Sequence, residues 1–423
     1  MDDAALMLRA MFDAAVRAAS AERLVGMLPE PPRGRTLLVA AGKAAAAMAK
    51  VTAAHWPVGA SLSGFAVTPY GHGVGAIARI TTFEASHPVP DAQGEAAGRR
   101  ILAEAALLGR EDMLLCLMSG GASSLLAVPG VGLSLADKQA VNRALLRSGA
   151  DIRAMNIVRR HLSAIKGGRL ARAAAPARMV TLGISDIPGD EIALIGSGPS
   201  CADPSTAAEA RAIIRRFGIE VPLAVMAHLT SDQAETPKPG DAIFAQATER
   251  LVATPADALA AAADCARAAG VTPVVLGDAI EGEAALVAAE MALVALDYAR
   301  DVGNGPCVLL SGGETTVSLP AQAKAGARGG RNAEFLLALA IKLAGHARIY
   351  ALACDTDGID GSEQNAGAMI TPDSLARWAA RGIEPEAMLA AHDSFGAFAA
   401  LGDLIVTGPT RTNVNDFRAI LVV

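Results

Sequence analysis

The sequence predicts an α/β protein of two α/β/α domains, the N-terminal one Rossmann-like with a mainly parallel sheet. Three observations carry that prediction. Short apolar runs alternate with alanine-rich helical stretches, the pattern of strands joined by crossover helices. Glycine turns stand where several of those runs end. The composition, 52% hydrophobic but only 3% aromatic, requires a core of Ala, Leu, Val and Ile, which suits helices packed closely on a sheet. At 423 residues the chain exceeds one ordinary core, so two domains are expected.

In chain order, a first amphipathic helix runs to about Leu28 and ends in the PEPPRGR break. Thr36 to Ala40 reads as a buried strand, with Gly42-Lys43 at the turn before an alanine-rich helix. LSGFAVTPY and ARITTF read as strands, and Asp91 as the cap of the helix that follows Pro90. Met113 to Met118 is an apolar strand delivering Ser119-Gly120-Gly121-Ala122-Ser123-Ser124. Three helical stretches lead to the strand RMVTLGI and a dense polar loop, Thr181 to Thr206, whose end looks like a helix start. After two more helices the polar stretch TSDQAETPKPGD (230–241) suggests the domain boundary, giving domains 1–235 and 236–423. Beyond it the alternation resumes through TPVVLG, CVLLSGG, RIYALACD, DLIVTG and RAILVV, with a glycine-rich loop before Arg331.

Net charge is −6, which disfavours nucleic acid as the main partner. No apolar run approaches the roughly 18 residues of a membrane span, and the acidic, helically spaced N-terminus is neither a signal nor a transit peptide. Five scattered cysteines without a C-x-x-C pair point to a reducing cytoplasm rather than a disulfide or zinc framework. The alanine-rich surface hints at a homodimer.

The candidate chemistry lies in the loops. Ser185, Asp186, Asp190 and Glu191 stand among several glycines on a loop after a strand, as a Mg-dependent phosphoryl-transfer site requires; an elaborate turn explains the composition equally. Two strand-terminal Ser-Gly-Gly runs, 119–121 and 311–313, suit anion binding by backbone amides, with Ser123 and Ser124 as added donors. Lys43 sits against the macrodipole at a helix start, where a bound anion would compensate it. It is not a Walker lysine, since the earlier glycine and the following Ser or Thr are missing. Gly71-His72-Gly73-Val74-Gly75-Ala76 mimics a dinucleotide fingerprint, but strand-like sequence follows where a helix is needed.

The run Arg153 to Arg172, which holds Arg159, Arg160, His161, Lys166 and Arg169, reads as a solvated helix face, or as a small-anion site for one or two of its members. His87 and His161 have no metal-spaced partner and read as structural or supporting groups. Arg331, after Gly329-Gly330, suits charge on a transferring phosphoryl group or is an exposed loop arginine. Asp355, Asp357 and Asp360 resemble the start of a calcium loop but lack the closing Glu. Asn413 and its neighbours form a polar loop between two apolar strands.

Together the segments AAGKAAAAMA, SHPVPD, SGGASSLL, MNIVRRHLSAIKGGRLA, GISDIPGDEIALIGSGPSCADPST, LSGGETTV, GGRNAE, DTDGIDG and GPTRTNVND resemble the type II glycerate 2-kinase family, often labelled hydroxypyruvate reductase, over essentially the whole chain. The resemblance implies a C-terminal α/β domain containing the MOFRL region (about 305–417) and an active site in a cleft between domains. It implies phosphorylation of D-glycerate to 2-phosphoglycerate with ATP and Mg2+, and no membrane partner. It assigns catalytic roles to Lys43, Arg331 and Asp190, and Asp186 with Asp190 to the metal. Ser119, Gly120, Gly121, Ser123, Ser311, Gly312, Gly313, Asp355 and Asn413 fall to substrate or nucleotide. Pro69, Ser86, Ala333 and Arg411 depart from the family pattern, and Arg411 bears most on which hydroxy acid fits. The alternative is an NAD(P)H-dependent hydroxypyruvate reductase.

Overall fold

A computed structural model describes residues 3–300, 305–319, 328–361 and 363–423. The chain divides into two compact units, Ala21–Val252 and Met1–Ser20 with Ala253–Val423.

The first unit is built on six strands: β1 (Thr36–Ala41), β2 (Leu62–Pro69), β3 (Ile80–Ala85), β4 (Met113–Met118), β5 (Arg178–Ile184) and β6 (Ala247–Ala253). Their order is β3-β2-β1-β4-β5-β6. The pairs β1/β2, β2/β3, β1/β4 and β4/β5 are all parallel, with Val39 level with Phe65 and Cys116. Every residue of β1 and β4 is buried, as expected of central strands covered on both faces. Each fully buried Leu or Val there contributes about 1.5–3 kcal/mol, which makes these two strands a rigid base for whatever their ends carry. The chain runs outward from β1 to β3, then returns to β4 on the other side of β1. Connections therefore leave the carboxyl ends of β1 and β4 in opposite directions, and such a switch point opens a crevice.

Local chemistry fixes the helices. Asp91 caps Ala92–Ala105 by accepting from Gly94 N at 3.0 Å. Thr206 and Glu209 form a capping box on Ala207–Arg216, the helix start legible in the sequence. Helices Leu135–Arg147, Ile152–His161, Ala207–Arg216 and Leu223–Leu229 bury a second apolar cluster that includes Val141, Leu145, Val158, Leu162 and Ile214.

The division falls later than the 235/236 boundary suggested by the polar stretch. Residues 230–241 are tied into the first unit: Arg169 Nη2 donates to the Ala234 carbonyl at 2.7 Å and Lys238 Nζ to the Ser205 carbonyl. Residues 247–253 then add β6 to the first sheet. The first helix, Asp3–Ala18, belongs to the second unit, where Phe12 packs on Phe417 with ring centres 5.8 Å apart.

The second unit carries β7 (Thr272–Gly277), β8 (Gly282–Glu283), β9 (Cys307–Gly313), β10 (Thr315–Thr316), β11 (Ile349–Asp355), β12 (Gly367–Ile370), β13 (Leu404–Ile405) and β14 (Asp416–Val422). Its main sheet has the order β13-β12-β11-β14-β9-β7, and β8 pairs β10 in a two-stranded ribbon. The parallel winding of the first sheet does not extend here. Among the described residues, β7/β9 is the only parallel pair of the main sheet, and β8/β10 is parallel in the ribbon; β9/β14, β14/β11, β11/β12 and β12/β13 are antiparallel. The short β11–β12 connection leaves no room for a crossover helix, and the last strand inserts between β9 and β11. Helix Arg331–Leu343 is buried along nearly its whole length, and Trp378 meets Phe398 edge-on at 5.3 Å. Most of the glycine-rich loop expected before Arg331 (320–327) lies outside the described residues. Among the described residues, no helix is long and apolar enough to cross a membrane.

Candidate active site

The carboxyl ends of β1 and β4 are laced together by their turns. Ser119 N donates to Ala41 O at 3.0 Å, Lys43 N to Gly120 O at 2.8 Å, and Ala44 N to Ser119 Oγ at 3.1 Å. Gly42 has φ +123°, and a Cβ on it would stand 2.2 Å from Ser119 Oγ, so only glycine permits this approach. Gly121, at φ +84°, is equally constrained: a Cβ there would meet His87 Cδ2 at 3.0 Å and Lys43 Cγ at 3.6 Å. Lys43, His87 and the first Ser-Gly-Gly turn therefore share one spot at the switch point. His87, read as structural or supporting, stands in the wall of the site.

The loop 181–206 closes the same edge. After β5 it turns at Gly189 and Asp190, both at positive φ, and enters the 3-10 segment Ile192–Ser197. Ser123 Oγ lies 2.9 Å from Ser197 Oγ, which donates to Asn156 Oδ1 at 3.2 Å. Lys166, 2% exposed, donates to both the carbonyl and the hydroxyl of Ser123. These bonds fix the Ser-Gly-Gly turn against the acidic loop.

A cavity of about 240 Å³ lies between this edge and the second helical cluster. Gly120, Gly121, Ser123, His87 and Asp186 form one side; Lys138, Asn142, Arg159 and Lys166 stand among Val141, Leu145 and Leu162 on the other. Burial, Arg169 and Arg159 push the Lys138 ammonium down to about 7, against the opposing pull of Glu95. Burial, Lys138 and two arginines hold Lys166 well below the ordinary lysine range, and burial lowers Arg159 as well. From Arg159 to Arg169 the basic run thus is not a solvated face, while Arg153 and Arg172 at its ends are exposed. Arg160 pairs with Asp203 at 2.8 Å and Arg169 donates to backbone carbonyls, whereas Arg159 and Lys166 face the cavity. His161 is fully buried and bonded to Ile157 O, a structural group. Lys138 went unnoticed in the sequence because nothing distinguishes it from the other charges of its helix.

Asp186 lines the cavity; Asp190 does not, and its Oδ1 is buried without a hydrogen-bond partner. Such an orphaned hard oxygen fits Mg2+. Among the described residues no three His, Cys, Asp or Glu side chains gather as a metal cage. Mg2+ commonly takes one or two carboxylates and fills the rest of its shell with water and substrate phosphates, so the loop suits that mode.

The second unit gathers a different constellation. Arg331 opens its helix and pairs with Glu314 at 2.6 Å, Asp355 at 2.7 Å and Asp416 at 2.7 Å. Burial opposes its charge, but these carboxylates overcome the penalty and raise its pKa further. Asp416 also holds Arg418 at 2.6 Å. Asp360 caps the same helix, accepting from Asn332 N at 3.0 Å and Ala333 N at 2.9 Å; burial lifts it to about 6 against those bonds. Arg331 and Asp355 are therefore brought together, and Asn413 is buried one loop away, accepting from Asn415 N at 3.3 Å. Ser311-Gly312-Gly313 are not an open turn like 119–121: they are the last residues of β9, paired with Arg418, Phe417 and Asp416 of β14. Gly313 is glycine because a Cβ would stand 2.2 Å from Ile280 N.

Gly71 to Ala76 lies between β2 and β3 with no helix after it, so the dinucleotide resemblance stays without its context.

A parallel sheet with a lysine and a glycine turn at its switch point, joined to a mixed α/β unit, defines a two-part α/β enzyme class. Sequence comparison finds two families along the chain: the family described as Domain of unknown function (DUF4147) matches residues 7–230, and the MOFRL family matches 307–416. An Agrobacterium vitis protein, provisionally named hydroxypyruvate reductase, is 55% identical over 98% of this chain and 94% of its own. The D-glycerate 2-kinase of Thermotoga maritima is 36% identical over 94% of this chain and 93% of its own. The crystal structure of a Thermotoga maritima glycerate kinase superposes with a TM-score of 0.87 at 34% identity, covering 99% of each chain. The chain belongs to the glycerate 2-kinase family.

Proposed function

We propose that the protein is a cytoplasmic kinase that uses ATP and Mg2+ to phosphorylate D-glycerate on its 2-hydroxyl, giving 2-phosphoglycerate and ADP. The observation that carries this reading is the convergence of Lys43, the Ser119-Gly120-Gly121 turn and a cation-lined cavity at the β1/β4 switch point. Phosphoryl transfer asks the protein mainly for positioning and charge stabilisation, and this edge offers both.

In this mechanism the Lys43 ammonium and the turn amides neutralise charge on the transferring group. Ser119 and Ser123 hold the turn in shape. The 2-hydroxyl oxygen bonds to the γ-phosphorus as the bond to the bridging oxygen breaks, and ADP leaves. Asp186, in the cavity wall, orients the hydroxyl and takes its proton. Asp190, with its unpartnered oxygen, holds Mg2+, which when bound neutralises phosphate oxygens. Arg331 serves phosphate charge as well. Because its nitrogens are already on three carboxylates, it engages phosphate only as one of these pairs opens, the exposed Glu314 pair first. Five free cysteines support a reducing compartment.

The test is a coupled assay with purified protein, Mg2+, ATP and D-glycerate. ADP release is expected; no release with any hydroxy acid overturns the reading. The reductase reading is favoured by the name of the Agrobacterium vitis relative and lacks a dinucleotide site in its support. It requires NADH oxidation by hydroxypyruvate without ATP.

A further inference from the structure

We propose that Lys138, Arg159 and Lys166 make their cavity the seat of the acceptor's carboxylate, so that these three residues select an organic acid over a neutral polyol. This rests on the kinase reading above and assigns its substrate pocket.

The first ground is charge. No carboxylate among the described residues lies within 4.0 Å of any of the three, although Arg160 and Arg169 of the same stretch are satisfied by Asp203 and by backbone carbonyls. Like charges crowded in a low-dielectric wall are costly, and a bound anion removes that cost.

The second ground is open valence. Arg159 uses only Nε, donating to Asn142 Oδ1 at 3.0 Å, so its two terminal nitrogens keep the planar edge that fits a carboxylate. Lys166 spends two of three donors on Ser123, and Lys138 spends two on the Val128 and Leu162 carbonyls at 3.3 Å each. Every cation retains a donor.

The third ground is size and lining. At about 240 Å³ the cavity is smaller than the roughly 300–1,000 Å³ of drug-sized ligand sites, so it does not enclose a nucleotide. Its walls include Val141, Leu145, Leu162 and Leu194. A polyphosphate is polar on every side and gains nothing from aliphatic walls. A carboxylate on a short carbon skeleton meets the cations with one end and the walls with the rest. Gly120, Gly121 and Asp186 complete the lining, so a hydroxyl beside that carboxylate reaches the phosphoryl-transfer turn.

The test compares wild type, R159Q, R159K and K138M by calorimetric titration with D-glycerate in the absence of ATP, and by kinetics with glycerate and ATP varied separately. R159Q is expected to weaken D-glycerate about tenfold or more, the effect of one charge-assisted bond. The KM for ATP should move less than about twofold, R159K should recover part of the loss, and thermal melting should match wild type. Glycerol, lacking the carboxylate, should bind all four proteins equally weakly. An unchanged glycerate affinity in R159Q and K138M overturns the proposal. So does a rise in the ATP KM alone, or inorganic phosphate binding that R159Q abolishes while glycerate binding stays intact. If glycerate binds in an Arg159-dependent way but is never phosphorylated, the seat stands and the kinase reading fails.

Discussion

In the first unit Lys138, Arg159 and Lys166 line one cavity, and among the described residues no carboxylate forms an ion pair with any of them, whereas in the second Arg331 alone is gripped by Glu314, Asp355 and Asp416. Both are buried or half-buried clusters of charge, and they answer desolvation in opposite ways. In the second every cation is held by carboxylates of the chain, and Arg331 is raised in pKa; in the first no carboxylate pairs with the cations, and its lysines are depressed. A cluster that closes its own charge contributes to the fold, and removing a partner from it costs stability. A cluster left with excess charge is completed by a ligand, and altering it costs binding.

The largest effect expected from this contrast is on Asp416→Ala. Arg418 is 1% exposed and would be left unpaired, with Arg331 losing one of three partners. Removing one side of a buried pair costs about 3–5 kcal/mol, measurable by chemical denaturation; a loss near zero would show that the nest is not structural. Next comes Lys43→Met, which should lower kcat by about 10²–10³ with melting unchanged, the scale of losing one preorganised charge-stabilising group. Full turnover would remove Lys43 from the mechanism.

A pH series sharpens the comparison further. Lys138 has a folded pKa of about 7 against an ordinary 10.5, so the unfolded chain binds more protons between those values. Its penalty is therefore fully present below pH 7 and relieved as pH rises toward 10.5. Lys166, also depressed, adds the same sign. The ligand-free protein should gain stability as pH rises above 7, while D-glycerate affinity falls because the seat loses charge. Lys138→Met should reduce both slopes; unchanged slopes would show that Lys138 is not the titrating group. Smallest is Glu314→Gln. The Glu314 carboxylate is half-exposed, and such pairs are worth under about 1 kcal/mol, so denaturation should barely shift.

The first sheet was legible because β1, β4 and β5 are continuous apolar runs, each ending in a glycine-containing loop that marks the carboxyl end. Lys43, Ser119 and Asp186 followed from those ends. The second sheet was less so: β12 has only four residues, and antiparallel pairing to a last strand depends on contacts far apart in sequence. The two Ser-Gly-Gly runs have identical residues but different roles, because close packing of Ile280 on Gly313 is a tertiary fact. Lys138 was invisible for the same reason. In helix Leu135–Arg147 it is one polar residue among several, and only the packing of Ile152–His161 and of Lys166 beside it makes it a cavity cation.

The central claim is tested most directly by 31P NMR of the product formed from D-glycerate, ATP and Mg2+ by the purified protein. The account predicts a single phosphomonoester at carbon 2, formed about 10²–10³ times more slowly by Lys43→Met. A phosphoryl group at carbon 3, or no phosphoryl transfer together with NADH-dependent reduction of hydroxypyruvate, would contradict it.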